Sequence, residues 1–260
     1  MKAIEPLEPL RSEGLTREIR SFWTRNVNAE RIMGREVSGH ARGEEEYFSD
    51  LEVQRYRSHR HLLPWIRSMV PRRTVLEIGS GVGLDSYTMA RHGLEVTAVD
   101  LTTVGVQTAR QRFHRNGIRG SFAVTDACQL AFADGAFDYV YSFGVLHHAA
   151  DTERAIEEAH RVLKPGGEAL IMLYHRRSLN ELVHRVLRVP FEERHELCPV
   201  VRRFTRDEAR RMFAPFASVD IAAEYLYGEG YGVLFSLTPR WLYDALSHRI
   251  GWHLMIRGRK

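Results

Sequence analysis

Four side chains able to move a proton lie in two short runs of this 260-residue sequence: His147 with His148, and Tyr174 with His175. Each run follows an apolar, β-rich segment, Phe137 to Ser142 and Glu168 to Leu173, of the kind that forms a buried strand. In an open α/β sheet, ligands bind outside the carboxyl ends of the strands. The four groups are therefore placed where a reaction would occur, and a base titrating near neutrality suits an oxygen or nitrogen nucleophile. His147 leads among them as the candidate base, with helix capping or orientation of a neighbour as its structural alternative. A second set lies upstream. Glu77-x-Gly79-x-Gly81-x-Gly83 follows the strand-like run Thr74 to Ile78 and precedes a helical pattern. Glycines at that spacing let the chain turn sharply and let a ligand lie against bare main chain.

This loop is not a dinucleotide fingerprint, which needs a small residue three places after its second glycine. Leu84 stands there, and the third glycine comes one place early, at Gly83. Glu77 sits badly beside a pyrophosphate and suits a ligand with positive charge and no phosphate. Asp100 ends the next strand, Leu94 to Val99, where a carboxylate accepts hydrogen bonds from both ribose hydroxyls. Thr102 and Thr103 can cap the helix that follows, leaving Asp100 for the ligand. A sulfonium, an α-ammonium, a ribose and an adenine, as in S-adenosylmethionine, fit that wall.

The glycine motif resembles the first motif of the class I S-adenosylmethionine-dependent methyltransferases, and the resemblance runs from Thr74 to Leu173. Leu130 to Asp138 resembles the family's segment before strand four, with Ala131 where proline is usual. Arg161-Val162-Leu163-Lys164-Pro165-Gly166-Gly167 resembles its late helix stop. The resemblance implies a cofactor site of Glu77, Gly79, Ser80, Gly81, Gly83, Asp100, Leu101, Asp126, Ala127, Ser142 and Phe143. Asp126 would meet the adenine amino group, and S-adenosylhomocysteine would be the product. Nucleic-acid base methyltransferases carry an Asn/Asp-Pro-Pro-aromatic motif where this chain has Ser142-Phe143-Gly144-Val145. The Leu146-His147-His148 form resembles methyltransferases of small metabolites, including relatives of the quinone-biosynthesis enzymes. Some members hold a metal with two glutamates and a histidine. Gly144 and His147 stand at the glutamate positions here, so no metal is expected.

The implied fold is α/β: a seven-stranded Rossmann-like methyltransferase sheet with β7 antiparallel, helices on both faces and an N-terminal helical cap. Residues 1–70 form that cap or extension and 71–260 the methyltransferase domain, with a substrate-side insertion at about 175–215. Along the chain, Pro6 and Pro9 argue against an early helix, so residues 1–20 read as a poorly ordered start. Val27 to Gly43 reads as loop, and Glu44 to Met69 as a helix that Pro64 kinks or divides. Phe22, Trp23, Tyr47, Phe48 and Tyr56 either line the cap or pack it onto the sheet. Helices are expected at 85–92, 102–116 and 151–163, and Asp138 is expected to bind nearby backbone N–H groups. Ser178 with Glu181 and Thr205 with Glu208 read as capping boxes. They open helices at 178–189 and 206–213. Strand 218–225, helix 239–249 and strand 252–257 close the chain.

Net charge is +4, and the arginines between Arg176 and Arg211 are interleaved with glutamates, which reads as a solvated surface. No apolar run approaches the ~20 residues of a membrane span. Met1 to Gly14 lacks a signal-peptide core, and the two cysteines, Cys128 and Cys198, make no framework. A cytoplasmic protein is expected, monomer or homodimer, acting on a small molecule with no specific nucleic acid. The apolar stripe of helix 178–189 is open to four readings: a lid, a dimer face, a membrane-surface helix or an ordinary packed helix. The expected activity is methyl transfer to an O, N or C atom of a small molecule, aromatic or apolar in view of Tyr225, Tyr227 and Tyr231. A macromolecular acceptor and a non-catalytic cofactor-binding protein are the alternatives.

Overall fold

The computed structural model describes residues 8–27, 38–188, 197–227 and 237–260. One seven-stranded sheet runs through it in the order β3-β2-β1-β4-β5-β7-β6. The strands are β1 (Thr74–Ile78), β2 (Glu95–Asp100), β3 (Ser121–Val124), β4 (Phe137–Phe143), β5 (Leu163–Tyr174), β6 (Ser218–Glu224) and β7 (His253–Arg259). The first five are mutually parallel, and β7 runs antiparallel between β5 and β6, as expected. Chain order reverses between β1 and β4, so the switch-point crevice opens above the carboxyl ends of these two strands.

Alternation along β1 sorts its side chains to two faces. Leu76 and Ile78 join Val140, Ile156, Val162 and Ile171 in the larger core. Val75 joins Met89, Ala98, Tyr141 and Leu170 in the other. Glu77 shares the Val75 face, and that parity brings a carboxylate under helix α4 rather than into the larger core.

The helices are α1 (Glu8–Arg25), α2 (Glu45–Ser58), α3 (Leu62–Arg67), α4 (Leu84–Arg91), α5 (Thr103–Arg115), α6 (Thr152–Val162), α7 (Leu179–Leu187), α8 (Arg206–Met212) and α9 (Arg240–Ile250). The N-terminal expectation needs correction. Residues 8–25 are helical, because Pro9 falls in the first turn, where a missing N–H costs nothing. The single helix expected over 44–69 is two. The break falls at His59–His61, and Pro64 sits in the first turn of α3 rather than at the break. Much of the expected 27–43 loop, the end of the 178–189 helix and Tyr231 lie outside the described residues.

The cap segment is fastened to the domain by ionic contacts. Arg112 of α5, 1% exposed, bonds Glu52 at 2.7 Å and lies 3.8 Å and 4.5 Å from the Tyr87 and Phe48 ring centres. Thr205 and Glu208 form a complete capping box at α8. At α7 only half of the expected box exists: Ser178 Oγ accepts the Glu181 N–H, while the Glu181 carboxylate turns to Arg185 and Arg203. Asp138 accepts the Thr74 N–H at 3.0 Å and pairs with Lys164 at 2.9 Å, the structural role expected of it.

Candidate active site

The turn after β1 is built from three left-handed glycines, Gly79, Gly81 and Gly83, with φ of 78°, 52° and 79°. A Cβ at Gly79 would meet the Val145 side chain at 2.3 Å, so the loop also needs glycine for close approach to the turn after β4. Its amides are spent on the protein. Gly79 and Ser80 both donate to Val99 O, Gly83 donates to Ser80 O, and Gly81 donates to Asp100 Oδ2 at 2.9 Å. A phosphate-binding loop turns such N–H groups outward; this one does not, in line with a ligand lacking phosphate.

Above this turn lies a cavity of about 340 Å³. Glu77, Gly79, Ser80, Gly81, Asp100, Leu101, Asp126, Ala127 and Phe143 line it, which brings nine of the sequence-derived cofactor residues to one cavity. The other two stand behind. Gly83 caps α4, and Ser142 is buried with its hydroxyl donating to Ile78 O at 3.0 Å. Glu77 accepts from Ser86 Oγ. Burial, then the nearby Asp85 charge, push its carboxyl up to about 8. Asp100 is raised by burial as well, against bonds from the Thr102 hydroxyl, the Thr102 N–H and the Gly81 N–H. Asp126 accepts the Cys128 N–H and, from α1, the Thr16 hydroxyl at 3.2 Å.

Of the four proton-moving candidates, two reach the cavity: His148 and Tyr174. His148 Nδ1 is 2.6 Å from Val200 O, so Nδ1 carries the proton and Nε2 is the ring's acceptor nitrogen. His147 is fully buried behind the wall, with its ring 3.7 Å from that of Tyr174 and no hydrogen bond of good geometry at either nitrogen. Burial lowers its basicity strongly. His175 is also buried and donates from Nδ1 to Gly251 O at 2.9 Å. Neither borders the cavity.

The sequence reading missed several groups in the wall. Arg55 enters it from α2, held by Asp85 of α4 through bonds of 2.8 Å and 2.5 Å. Tyr56 and Tyr141 donate to the same carboxylate at 3.0 Å and 2.8 Å. Burial pushes the Asp85 carboxyl up, but the Arg55 charge and the bonds from Arg55, Tyr141 and Tyr56 together outweigh it and hold the group below its usual range. His59 and His253 also line the cavity, as do Thr16, Ile19, Trp23 and Val27 of the N-terminal segment. Of the five cap aromatics, Trp23 reaches the cavity, while Phe22, Tyr47 and Phe48 are core. Periodicity could not find these residues, because they converge from segments far apart in sequence. Tyr227 packs in a small cluster with Leu226 and Tyr243. Among the described residues no group of three or more His, Cys, Asp or Glu has a metal-holding arrangement.

Residues 76–171 match a family described as a methyltransferase domain. A ubiquinone biosynthesis O-methyltransferase of Caulobacter vibrioides is 31% identical over 175 residues, which is 65% of this chain and 66% of that one. A 2-methyl-6-phytyl-1,4-hydroquinone methyltransferase of Synechocystis is 30% identical over 164 residues, 63% of this chain and 48% of that protein. The first relatives matched are covered over half of their length or less. An S-adenosylmethionine-dependent methyltransferase from Thermotoga maritima shares the fold at a TM-score of 0.62 and 18% identity, over 92% of this chain and 99% of that one. With its matched domain, its strand order and its glycine turn under an acidic wall, the chain belongs to the class I S-adenosylmethionine-dependent methyltransferases.

Proposed function

We propose that the protein transfers a methyl group from S-adenosylmethionine to a small molecule. The observation that carries this reading is one continuous cavity with two unlike ends. Glu77, Asp100 and Asp126 line it from β1, β2 and the turn after β3. Phe143, His148, Met172, Tyr174 and His253 line it from β4 and the turn after it, β5 and β7, across the switch point in the strand order. The acidic end suits the cofactor's donors. Glu77 would take the α-ammonium, Asp100 the ribose hydroxyls and Asp126 the adenine amino group, with Leu101 and Ala127 against the adenine. When bound, the cofactor supplies an electrophilic methyl group whose C–S bond breaks with its electron pair left on sulfur. The chain's own residues do the rest. α1 shields the cavity from water through Ile19 and Trp23, and Phe143 and Met172 give an apolar passage for the methyl. His148 and Tyr174 would border the acceptor; of the four sequence-derived candidates, they are the two at the wall, and His147 is not.

The quinone-directed names among the relatives support a small aromatic acceptor at an O, N or C atom. The test is label transfer from methyl-labelled S-adenosylmethionine into an extract of the source cells, with Asp100→Ala as control. Label in the small-molecule fractions, absent with the variant, is expected. Label confined to the macromolecular fraction would overturn the small-molecule reading.

A further inference from the structure

The far end of the cavity holds a set of rings that the reading above leaves without work. α2 ends at Ser58, and the chain breaks helix at His59. The carbonyl of Arg55 accepts both the His59 backbone N–H, at 2.8 Å, and Nδ1, at 3.1 Å. A carbonyl only accepts, so Nδ1 carries the proton and Nε2 keeps its lone pair. His59 lines the cavity, and its Nε2 makes no hydrogen bond among the described residues.

His59 is one of three mutually parallel rings. Tyr225 lies 4.7 Å from His59 at 7° and 4.5 Å from His253 at 5°, and the two imidazoles are 5.4 Å apart at 2°. Phe143 stands at 87° to His59 and 88° to His253, making a square corner. Tyr225 reaches this stack only by adopting φ of 65°, a left-handed conformation that is strained for a bulky residue. His61 Nε2 lies 3.2 Å from His253 Nδ1 and pins the third ring. Strain accepted to align a ring, together with a tautomer locked by a backbone carbonyl, marks a plane held for a purpose.

The charges around it narrow the ligand. Burial, then the Arg55 guanidinium, lower His59 to about 4. Burial, then His59, lower His61 to about 3, and His253 is likewise depressed. All three imidazoles are neutral at pH 7. The charged groups facing His59 are Arg55 from α2 and Asp85 from α4, and Asp85 is already engaged by Arg55, Tyr56 and Tyr141. An ammonium brought here would meet a guanidinium and find no unengaged carboxylate among the described residues. A hydroxyl would find an imidazole lone pair, and negative charge developing on its oxygen would be favoured by Arg55.

We propose that His59 is the catalytic base, and that the acceptor is an uncharged planar molecule presenting a phenolic or enolic hydroxyl to its Nε2. This rests on the methyltransferase reading. The acceptor's O–H bond breaks as its oxygen lone pair forms the new O–C bond, and the proton passes to Nε2. The positive charge lost from sulfur passes to the imidazolium, which burial and the Arg55 guanidinium make strongly acidic, so its proton is readily given up to water.

The test uses the full-length protein and three probes of similar size: catechol, ortho-phenylenediamine and thiophenol. Methylated products are read by mass spectrometry for the wild type, His59→Asn and His59→Gln. Asn retains a donor to Arg55 O but has nothing in place of Nε2. Catechol methylation is expected in the wild type, with kcat about 100-fold or more lower in His59→Asn, the scale of general-base catalysis. S-adenosylhomocysteine affinity should stay within about twofold in both variants, showing that the site still folds. In the wild type with ¹⁵N-labelled histidine, the Nε2 resonance of His59 should carry no proton and should shift when catechol joins the S-adenosylhomocysteine complex. Methylation of the amine or thiol alone, undiminished catechol methylation in His59→Asn, or no hydroxyl methylation despite measured cofactor binding would overturn the proposal. Failure of the wild type to bind S-adenosylmethionine would instead remove the methyltransferase reading beneath it.

Discussion

The two ends of the cavity are assembled by opposite strategies. The acidic end is built mostly from consecutive strands: Glu77, Asp100 and Asp126 sit at or just after the carboxyl ends of β1, β2 and β3. The glycine-loop amides bond Val99 and Asp100 at the end of β2, and one bond, from Thr16 of α1 to Asp126, comes from farther away. The far end is made of distant pieces: α1 and the α2 terminus on one side, the ends of β6 and β7 on the other, with β4 and β5 between them. A site built locally tolerates change elsewhere in the chain, whereas a site built from distant pieces depends on the packing of the whole molecule. Binding at the acidic end should thus be separable from chemistry at the other.

One contact joins the two ends, and breaking it should have the largest effect. Asp85 of the glycine-loop helix holds Arg55 of the cap, with both side chains largely buried. Replacing Asp85 by Ala strands a buried guanidinium, at a cost of about 3–5 kcal/mol by urea unfolding. A loss near zero would mean that the cap is not fastened there. Asp100→Ala comes next and sharpens the contrast. It removes a charged acceptor worth about 1.5–3 kcal/mol per bond, so S-adenosylmethionine affinity should fall about 10- to 100-fold or more by calorimetry. The same carboxylate also receives Gly81 and Thr102, so a lower melting temperature should accompany the loss.

A smaller effect follows from Glu77, whose carboxyl is pushed up to about 8 by burial and Asp85. A cationic ligand needs it ionised. Affinity should therefore rise with pH from 6 toward 8, by up to about tenfold per unit, and flatten above. Calorimetry in buffers of different ionisation enthalpy should show proton release on binding below pH 8. A flat profile would mean that the ligand's charge is met elsewhere. The smallest effect is expected on α7, where Leu182 and Val186 are 55% and 68% exposed. Changing both to Ser should alter stability by about 0.5 kcal/mol or less and leave cofactor binding unchanged. A larger change would show that another surface covers them.

How much of this was legible in the sequence follows the same division. Glu77, the glycine turn, Asp100 and the Thr205–Glu208 box could be read because their partners lie within a few residues or at fixed offsets between strand and loop. The helix at residues 8–25 was obscured by Pro9, whose cost vanishes in a first turn. His147 and His148 look equivalent as neighbours in sequence. A short 3₁₀ turn at Leu146–His148 aims one at the cavity and buries the other behind Tyr174. The Arg55–Asp85 pair and the His59–Tyr225–His253 stack follow no periodicity, because only the folded sheet brings α2, β6 and β7 together.

The separability of the two ends is tested most directly by calorimetric binding of S-adenosylmethionine to the wild type, Asp100→Ala and His253→Ala. The account predicts micromolar-scale binding by the wild type, the ordinary range for a small-molecule site, a loss of about 10-fold or more in Asp100→Ala, and near-wild-type affinity in His253→Ala. Unchanged affinity in Asp100→Ala, or an equal loss in both variants, would contradict it.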